Sequence, residues 1–224
     1  MAATKVDQPA YPVRETIADW AGMLLVDHGA IRLAYLNAHR LGASAWRSAQ
    51  PSPHQIGTFA RLGVCTIVNL RGARQCGSYR LEQLACERHG IRLVNYKMRS
   101  RAAPTREQVL GARDLFADLR GPVLFHCKSG ADRVGLMSAL YLIAAEGVPV
   151  EKARAQLALR FGHIRQADTG ILDFFFERYL AHTAVTPIAF FDWVENVYDP
   201  NELIQSFLAS RWANVLTNRI LRRE

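Results

Sequence analysis

Residues 123–135 read Val-Leu-Phe-His-Cys-Lys-Ser-Gly-Ala-Asp-Arg-Val-Gly, and no other stretch restricts the fold as strongly. A short apolar run, Val123–His126, meets a glycine-containing loop, and an apolar stretch follows from Asp132 to Glu146. The pattern predicts a buried strand, a tight turn and a helix in succession. Such a unit needs neighbours to cover it, and the chain supplies them in alternation. Ala45–Arg47, Val64–Leu70 and Ile91–Tyr96 are strand candidates. Pro53–Leu62, Leu81–His89, Thr105–Leu119 (with Thr105 as N-cap), Val150–Phe161 and Gly170–Leu180 are helix candidates. The expected architecture is α/β, with a central and mostly parallel sheet flanked by helices. Ligands of such sheets bind beyond the carboxyl ends of the strands. Arg71, the Met98–Pro104 loop and the segment after His126 should therefore converge.

Outside this alternation the organisation is simpler. Residues 1–15 read as a loose arm. From Thr16 to Leu41, apolar positions recur at helical spacing, interrupted by Gly22 and Gly29, which suits one amphipathic helix or two short ones. The expected division is 1–44 for arm and helix, 45–182 for the main domain and 183–224 for a helical extension. Arg32, His39 and Arg40 flank the first helix, so a peripheral membrane contact stands open beside the commoner outcome of packing on the domain.

The chemistry concentrates in H-C-x-x-G-x-x-R, which holds Cys127 and Arg133 five residues apart. A tight loop above a helix N-terminus aims successive backbone N–H groups into one concavity, which suits an anion. Gly130 permits the backbone geometry, and Arg133 can close the ring with a two-pronged guanidinium. A cysteine at the base of such a cradle is favoured as thiolate. Facing a captured phosphate, it is a nucleophile poised for in-line transfer.

On these residues the sequence resembles the cysteine-dependent protein tyrosine and dual-specificity phosphatase superfamily, whose signature is H-C-x5-R. The resemblance covers about Trp46–Ala181. Trp46–Pro51 and Ile67–Arg71 look like the opening segments of the compact, atypical branch found in bacteria, and Gly170–Tyr179 is similar to the family's last helix. It implies a dual-specificity-phosphatase-like fold and a phosphocysteine intermediate. Cys127 would attack, Arg133 would stabilise the transferring group, and water would release it without metal or cofactor. The loop residues His126, Lys128, Ser129, Gly130 and Ala131 would hold the substrate phosphate, His126 orienting Cys127 rather than acting as a base.

Two departures from the family pattern stand out. The family's proton-donating Asp, some thirty residues before the cysteine, has no counterpart, because Asn95–Pro104 contains no carboxylate. Asp132 is the expected substitute, as general acid and then base; a helix cap or a salt-bridge partner is the alternative. Val134 stands where the family usually carries Ser or Thr, so release of the intermediate is expected to be slow.

Composition bears on the ligand. The chain has 28 basic and 20 acidic residues, a formal charge of +8. Twenty-four of the basic residues are Arg, which reflects either codon usage or anionic partners. Arg71, Arg99, Arg101 and Lys128 should make the mouth of the cradle electropositive. Arg160, His163 and Arg165 are outer candidates. Substrates richer in charge than a single phosphotyrosine follow, among them phosphoinositides, phosphorylated lipid head groups and inositol phosphates, with phosphotyrosine protein beside them. No long basic run or recognition motif points to nucleic acid. The four cysteines form no C-x-x-C pair, so neither a zinc site nor a disulfide scaffold is expected and a reducing cytoplasm fits. Two other classes remain: a phosphate-binding module with poor turnover, and a rhodanese-like sulfurtransferase.

Overall fold

The computed structural model describes residues 15–27 and 29–221, the last ten as backbone only. Five strands form one sheet: β1 (His39–Leu41), β2 (Ala45–Ala49), β3 (Thr66–Asn69), β4 (Arg92–Asn95) and β5 (Val123–Cys127). Their spatial order is β1-β2-β5-β3-β4. β2, β5, β3 and β4 run parallel, and β1 lies antiparallel on the edge. The expected α/β layout is present.

Every residue of β5 is buried, as befits a parallel strand with both faces covered. Alternation along it assigns the layers. Val123, Phe125 and Cys127 enter a core shared with α5 (Arg106–Asp118), α6 (Asp132–Glu146) and α8 (Ile171–Thr183). Leu124 enters the opposite core, with Ile56 and Phe59 of α3 (Pro53–Arg61) and Ala85 and Cys86 of α4 (Gly77–Arg88). Local chemistry fixes the helix ends. Ser52 and Gln55 form a capping box ahead of α3, with Pro53 at its first position. Thr105 and Gln108 do the same for α5, and Gly147 ends α6 with φ +63°.

Two expectations are corrected. The region 16–41 is not one helix; it holds two short ones, with other elements between and after them. It comprises α1 (Ile17–Ala21), a π-helical turn at Gly22–Val26, α2 (Gly29–Ala34), and then strand β1. β1 falls inside the stretch assigned to the arm, because its antiparallel pairing with β2 (Arg40 opposite Trp46) overrides the helical spacing. α1 packs on α4, while Ile17, Leu25, Val26 and Ile31 stay exposed. The helix expected over Val150–Phe161 is broken into α7 (Val150–Ala153) and two 3-10 turns. Arg47 of β2 takes both the Gln156 carbonyl (2.7 Å) and its side-chain oxygen (2.8 Å), leaving that carbonyl directed at a guanidinium instead of along a helix.

The extension contains α9 (Phe190–Asn196) and α10 (Pro200–Leu221) and joins the larger core. Phe175 of α8 is fully buried among Phe176, Phe190, Trp193 and Tyr198, with ring centroids 4.9 to 5.8 Å away. Tyr198 donates to the Pro104 carbonyl (2.7 Å), and Arg106 donates to the Tyr198 carbonyl (2.5 Å). Phe175→Ala should therefore cost about 3–5 kcal/mol in denaturant unfolding. The half-exposed Leu208, changed to Ala, should cost less than about 0.5 kcal/mol.

Candidate active site

β5 delivers Cys127 to the carboxyl edge of the sheet, and α6 begins five residues later at Asp132. The loop between them is shaped from outside. Asn37 donates to the Ser129 carbonyl (3.0 Å) and the Phe161 carbonyl (2.9 Å). Arg47 donates to the carbonyls of Gly130 (2.8 Å) and Ala131 (3.3 Å). Across a trans peptide the C=O and the following N–H point in opposite directions. Holding these three carbonyls outward turns the N–H groups of Gly130, Ala131 and Asp132 toward the other side, at the start of a fifteen-residue helix. Gly130 has φ +78°, and a Cβ there would stand 2.7 Å from the Ala49 nitrogen and 3.0 Å from the Ser48 carbonyl carbon. Only glycine fits that approach.

Cys127 is buried, at 2% exposure. Arg133 follows in the first turn of α6, and its Nε is buried without a hydrogen-bond partner. No ion pair forms on Arg133 among the described residues, so its positive charge is uncompensated. Arg47 is completely buried, stacked 3.9 Å over the Phe161 ring. Burial pulls its pKa down to about 10, which still leaves it charged at neutral pH. The loop after Cys127 thus combines N–H groups turned away from Asn37 and Arg47 with the fixed charge of Arg47 behind it, and it leads into a helix whose first turn carries Arg133.

The period of two along β5 puts His126 on the opposite face from Cys127. There its Nε2 lies 2.5 Å from Glu82 of α4, both side chains being wholly buried. Glu82 also accepts from Gln50 Nε2 (2.8 Å), and the Gln50 oxygen accepts from Arg71. His126 is thus held by a buried carboxylate on the face of the sheet away from Cys127.

The rim differs from expectation in what its cations face. Arg71 is buried and grips Asp27 through both nitrogens (2.5 and 2.7 Å). Lys128 stands 3.7 Å from the same carboxylate. Burial works against the Asp27 charge, but hydrogen bonds from Arg71 and Ser78 and the charges of Arg71 and Arg32 hold its carboxyl well below the usual carboxylate range. Arg99 and Arg101 are exposed and make no hydrogen bond or ion pair among the described residues. Ser129 is exposed, Ala131 buried. Of the outer candidates, Arg165 pairs with Glu177 (2.6 Å) and Arg160 lies over Phe161 (4.6 Å). His163 is buried instead of lying on the rim.

Asp132 accepts from His163 Nδ1 (2.8 Å), and His163 Nε2 reaches Asp173 (2.6 Å). Burial opposes a charge on this ring, but the hydrogen bonds and charges of the two carboxylates outweigh it and push its pKa up to about 9. At neutral pH the ring is therefore an imidazolium, held between the side chains of Asp132 and Asp173. The salt bridge weighed as an alternative for Asp132 is therefore present. No cluster of His, Cys, Asp or Glu among the described residues is placed to hold a metal.

A family model described as a DSP-PTPase phosphatase fused to NAD+ kinase matches residues 13–170. The chain belongs to that family. Among curated proteins, "Dual specificity protein phosphatase TpbA" of Pseudomonas aeruginosa (strain UCBPP-PA14) is 30% identical over 113 residues, covering 50% of this chain and 49% of that protein. The chain thus spans about half the length of the curated relatives it matches. The crystal structure of P. aeruginosa TpbA superposes with a TM-score of 0.51 at 26% identity, covering 61% of this chain and 83% of the other. A putative phosphatase from Shewanella putrefaciens CN-32 shares the fold at 15% identity, with a TM-score of 0.50 over 68% of this chain and 97% of the other.

In this DSP-PTPase chain the support residues Arg47, Asn37, Glu82 and Asp27 escaped sequence reading. Arg47 alone left a trace: a charge inside a strand whose other positions are small or apolar. Arg47→Met keeps the bulk but leaves the Gly130 carbonyl unpaired, the Ala131 carbonyl retaining only the Gly135 N–H, and calorimetry should show affinity for vanadate falling at least about tenfold. His163 has its folded pKa raised above the unfolded value of 6.5. The stability it contributes should be complete just below pH 6.5 and lost as pH rises through about 9. Melting curves of wild type and His163→Gln should therefore converge above that pH.

Proposed function

We propose that this chain is a cysteine-dependent phosphatase that hydrolyses phosphomonoesters through a phosphocysteine intermediate. One observation supports the reading: Cys127 is buried at the end of β5, the carbonyls of the loop after it are tied to Asn37 and Arg47, and Arg133 in the first turn of the following helix has no ion-pair partner among the described residues. In the first step the Cys127 sulfur attacks phosphorus and the bond to the leaving oxygen breaks, while Arg133 and the loop N–H groups hold the equatorial oxygens. In the second step water displaces the cysteine sulfur and phosphate leaves. Lys128, Ser129, Gly130 and Ala131 bind the phosphate as parts of the loop.

Asp132 is proposed to handle the proton, to the leaving oxygen and then from water. The 2.8 Å hydrogen bond from His163 Nδ1 supports that reading by fixing the position of this carboxyl group at the start of α6, one residue before Arg133. The substrate is a phosphotyrosine protein or a phosphorylated lipid or inositol. Unpaired Arg99 and Arg101 favour the more highly charged of these, and exposed Leu25, Val26 and Ile31 suit a phosphate presented at a membrane surface from the cytoplasmic side. A sulfurtransferase has no use for the free Arg133.

Wild type should hydrolyse an aryl phosphate in a vanadate-sensitive reaction, and Cys127→Ser should show none while still binding phosphate. Activity in Cys127→Ser, or thiosulfate-dependent persulfide on Cys127 without phosphatase activity, would overturn the reading. Asp132→Asn should slow turnover by about 10²-fold and flatten one limb of the pH profile. Val134 is fully buried in α6 and offers no hydroxyl to the departing sulfur. Rapid mixing should therefore show a burst of aryl alcohol equal to the enzyme present, and Val134→Thr should shrink that burst.

A further inference from the structure

Asp27 closes the π-helical turn of the N-terminal segment, and its carboxylate sits where cations of the core converge. It accepts from Arg71 (2.5 and 2.7 Å), from Ser78 Oγ (2.7 Å), from Arg74 (3.4 Å) and from Arg32 (3.5 Å), with Lys128 Nζ at 3.7 Å. Arg71 and Arg74 lie in the loop between β3 and α4, Ser78 in the first turn of α4, and Lys128 in the cradle loop itself. The core builds this site from three separate places; the segment adds only Asp27 and Arg32.

The charges do not balance. Four cations surround one carboxylate, leaving three positive charges over in a place where the Asp27 side chain is only 12% exposed. The neighbouring acid, Glu82, is turned to His126 and separated from Arg71 by Gln50. The Nε atoms of Arg32 and Arg74 are buried without partners. A structural ion pair is satisfied one for one, whereas a surplus of buried guanidinium donors suits a group with more charge and more oxygens than a carboxylate.

The segment is also held weakly by apolar contact. Met23 is buried, but Ile17, Leu25, Val26 and Ile31 are between 69% and 89% exposed. Its attachments are largely polar: the Asp27 cluster, the Asp19–Arg80 pair (3.3 Å) and the packing of α1 on α4. A competing dianion could take over the Asp27 contacts without uncovering much of the core.

We propose that Arg71, Arg74, Ser78 and Lys128 form a second anion subsite beside the Cys127 cradle, and that Asp27 is the chain's own occupant of it, displaced by a second phosphate group of the substrate. This rests on the reading of the cradle as a phosphate site. The substrate class it selects is a bisphosphorylated one. A soluble inositol bisphosphate and a phosphoinositide head group share that chemistry. Lys128 belongs to both sites and couples them.

The test uses the full chain with an aryl phosphate, an inositol bisphosphate and a short-chain phosphatidylinositol bisphosphate. The ratio of kcat/KM for bisphosphate over aryl phosphate should rise about tenfold in Asp27→Asn and fall below wild type in Arg74→Gln. A response to both bisphosphates assigns selection to the head group; a response to the lipid alone assigns the lipid as the source. Should no variant turn over, calorimetry on Cys127→Ser still decides: Asp27→Asn in that background should tighten inositol bisphosphate binding, and Arg71→Gln should weaken it. In wild type, hydrogen exchange of amides 22–27 should accelerate when the bisphosphate is added. Unchanged or weaker binding in a folded Asp27→Asn protein, or unchanged exchange in wild type, would make Asp27 a structural ion pair and overturn the proposal.

Discussion

The site depends on which way a few peptide groups face. Left to itself, a loop entering a helix has as much reason to point carbonyls inward as N–H groups. Here Asn37 and Arg47 decide the matter by capturing the carbonyls of Ser129, Gly130 and Ala131. Arg47 is wholly buried, and the carbonyls, Gln156 and the Phe161 ring stand in for the water it has lost. The cradle is therefore positive twice over, once from the N–H groups that face the anion and once from the guanidinium behind them.

Much of this architecture was legible because local chemistry and tertiary packing agree. The bounds of α6 are those its apolar run suggests, since Gly147 stops the helix and Asp132 starts it. Thr105 caps α5 as its place before a periodic run implied. Periodicity misled where long-range partners had the larger say. β1 exists because β2 offers an edge, and the Val150–Phe161 stretch breaks because a distant arginine captures one of its carbonyls. Neither partner is visible in a window of neighbouring residues.

At the site, motif residues were easier to find than their supports. Cys127 and Arg133 carry a spacing that sequence can show. Arg71 and Lys128 both approach Asp27, and nothing in the order of residues revealed that this carboxylate, in a stretch resembling plain amphipathic helix, would lie between them. His163, an outer candidate on sequence position, is a buried bridge between two aspartates, one of them next in sequence to Arg133.

Gln50 has a consequence of its own. Its amide presents nitrogen to Glu82 and oxygen to Arg71, so it acts as a neutral insulator between an acid and a base that would otherwise collapse onto each other. With the insulator in place, Glu82 remains committed to the imidazole of His126 whatever happens around Arg71. A traffic of anions on one side of the loop can thus proceed without disturbing the footing of the sulfur on the other.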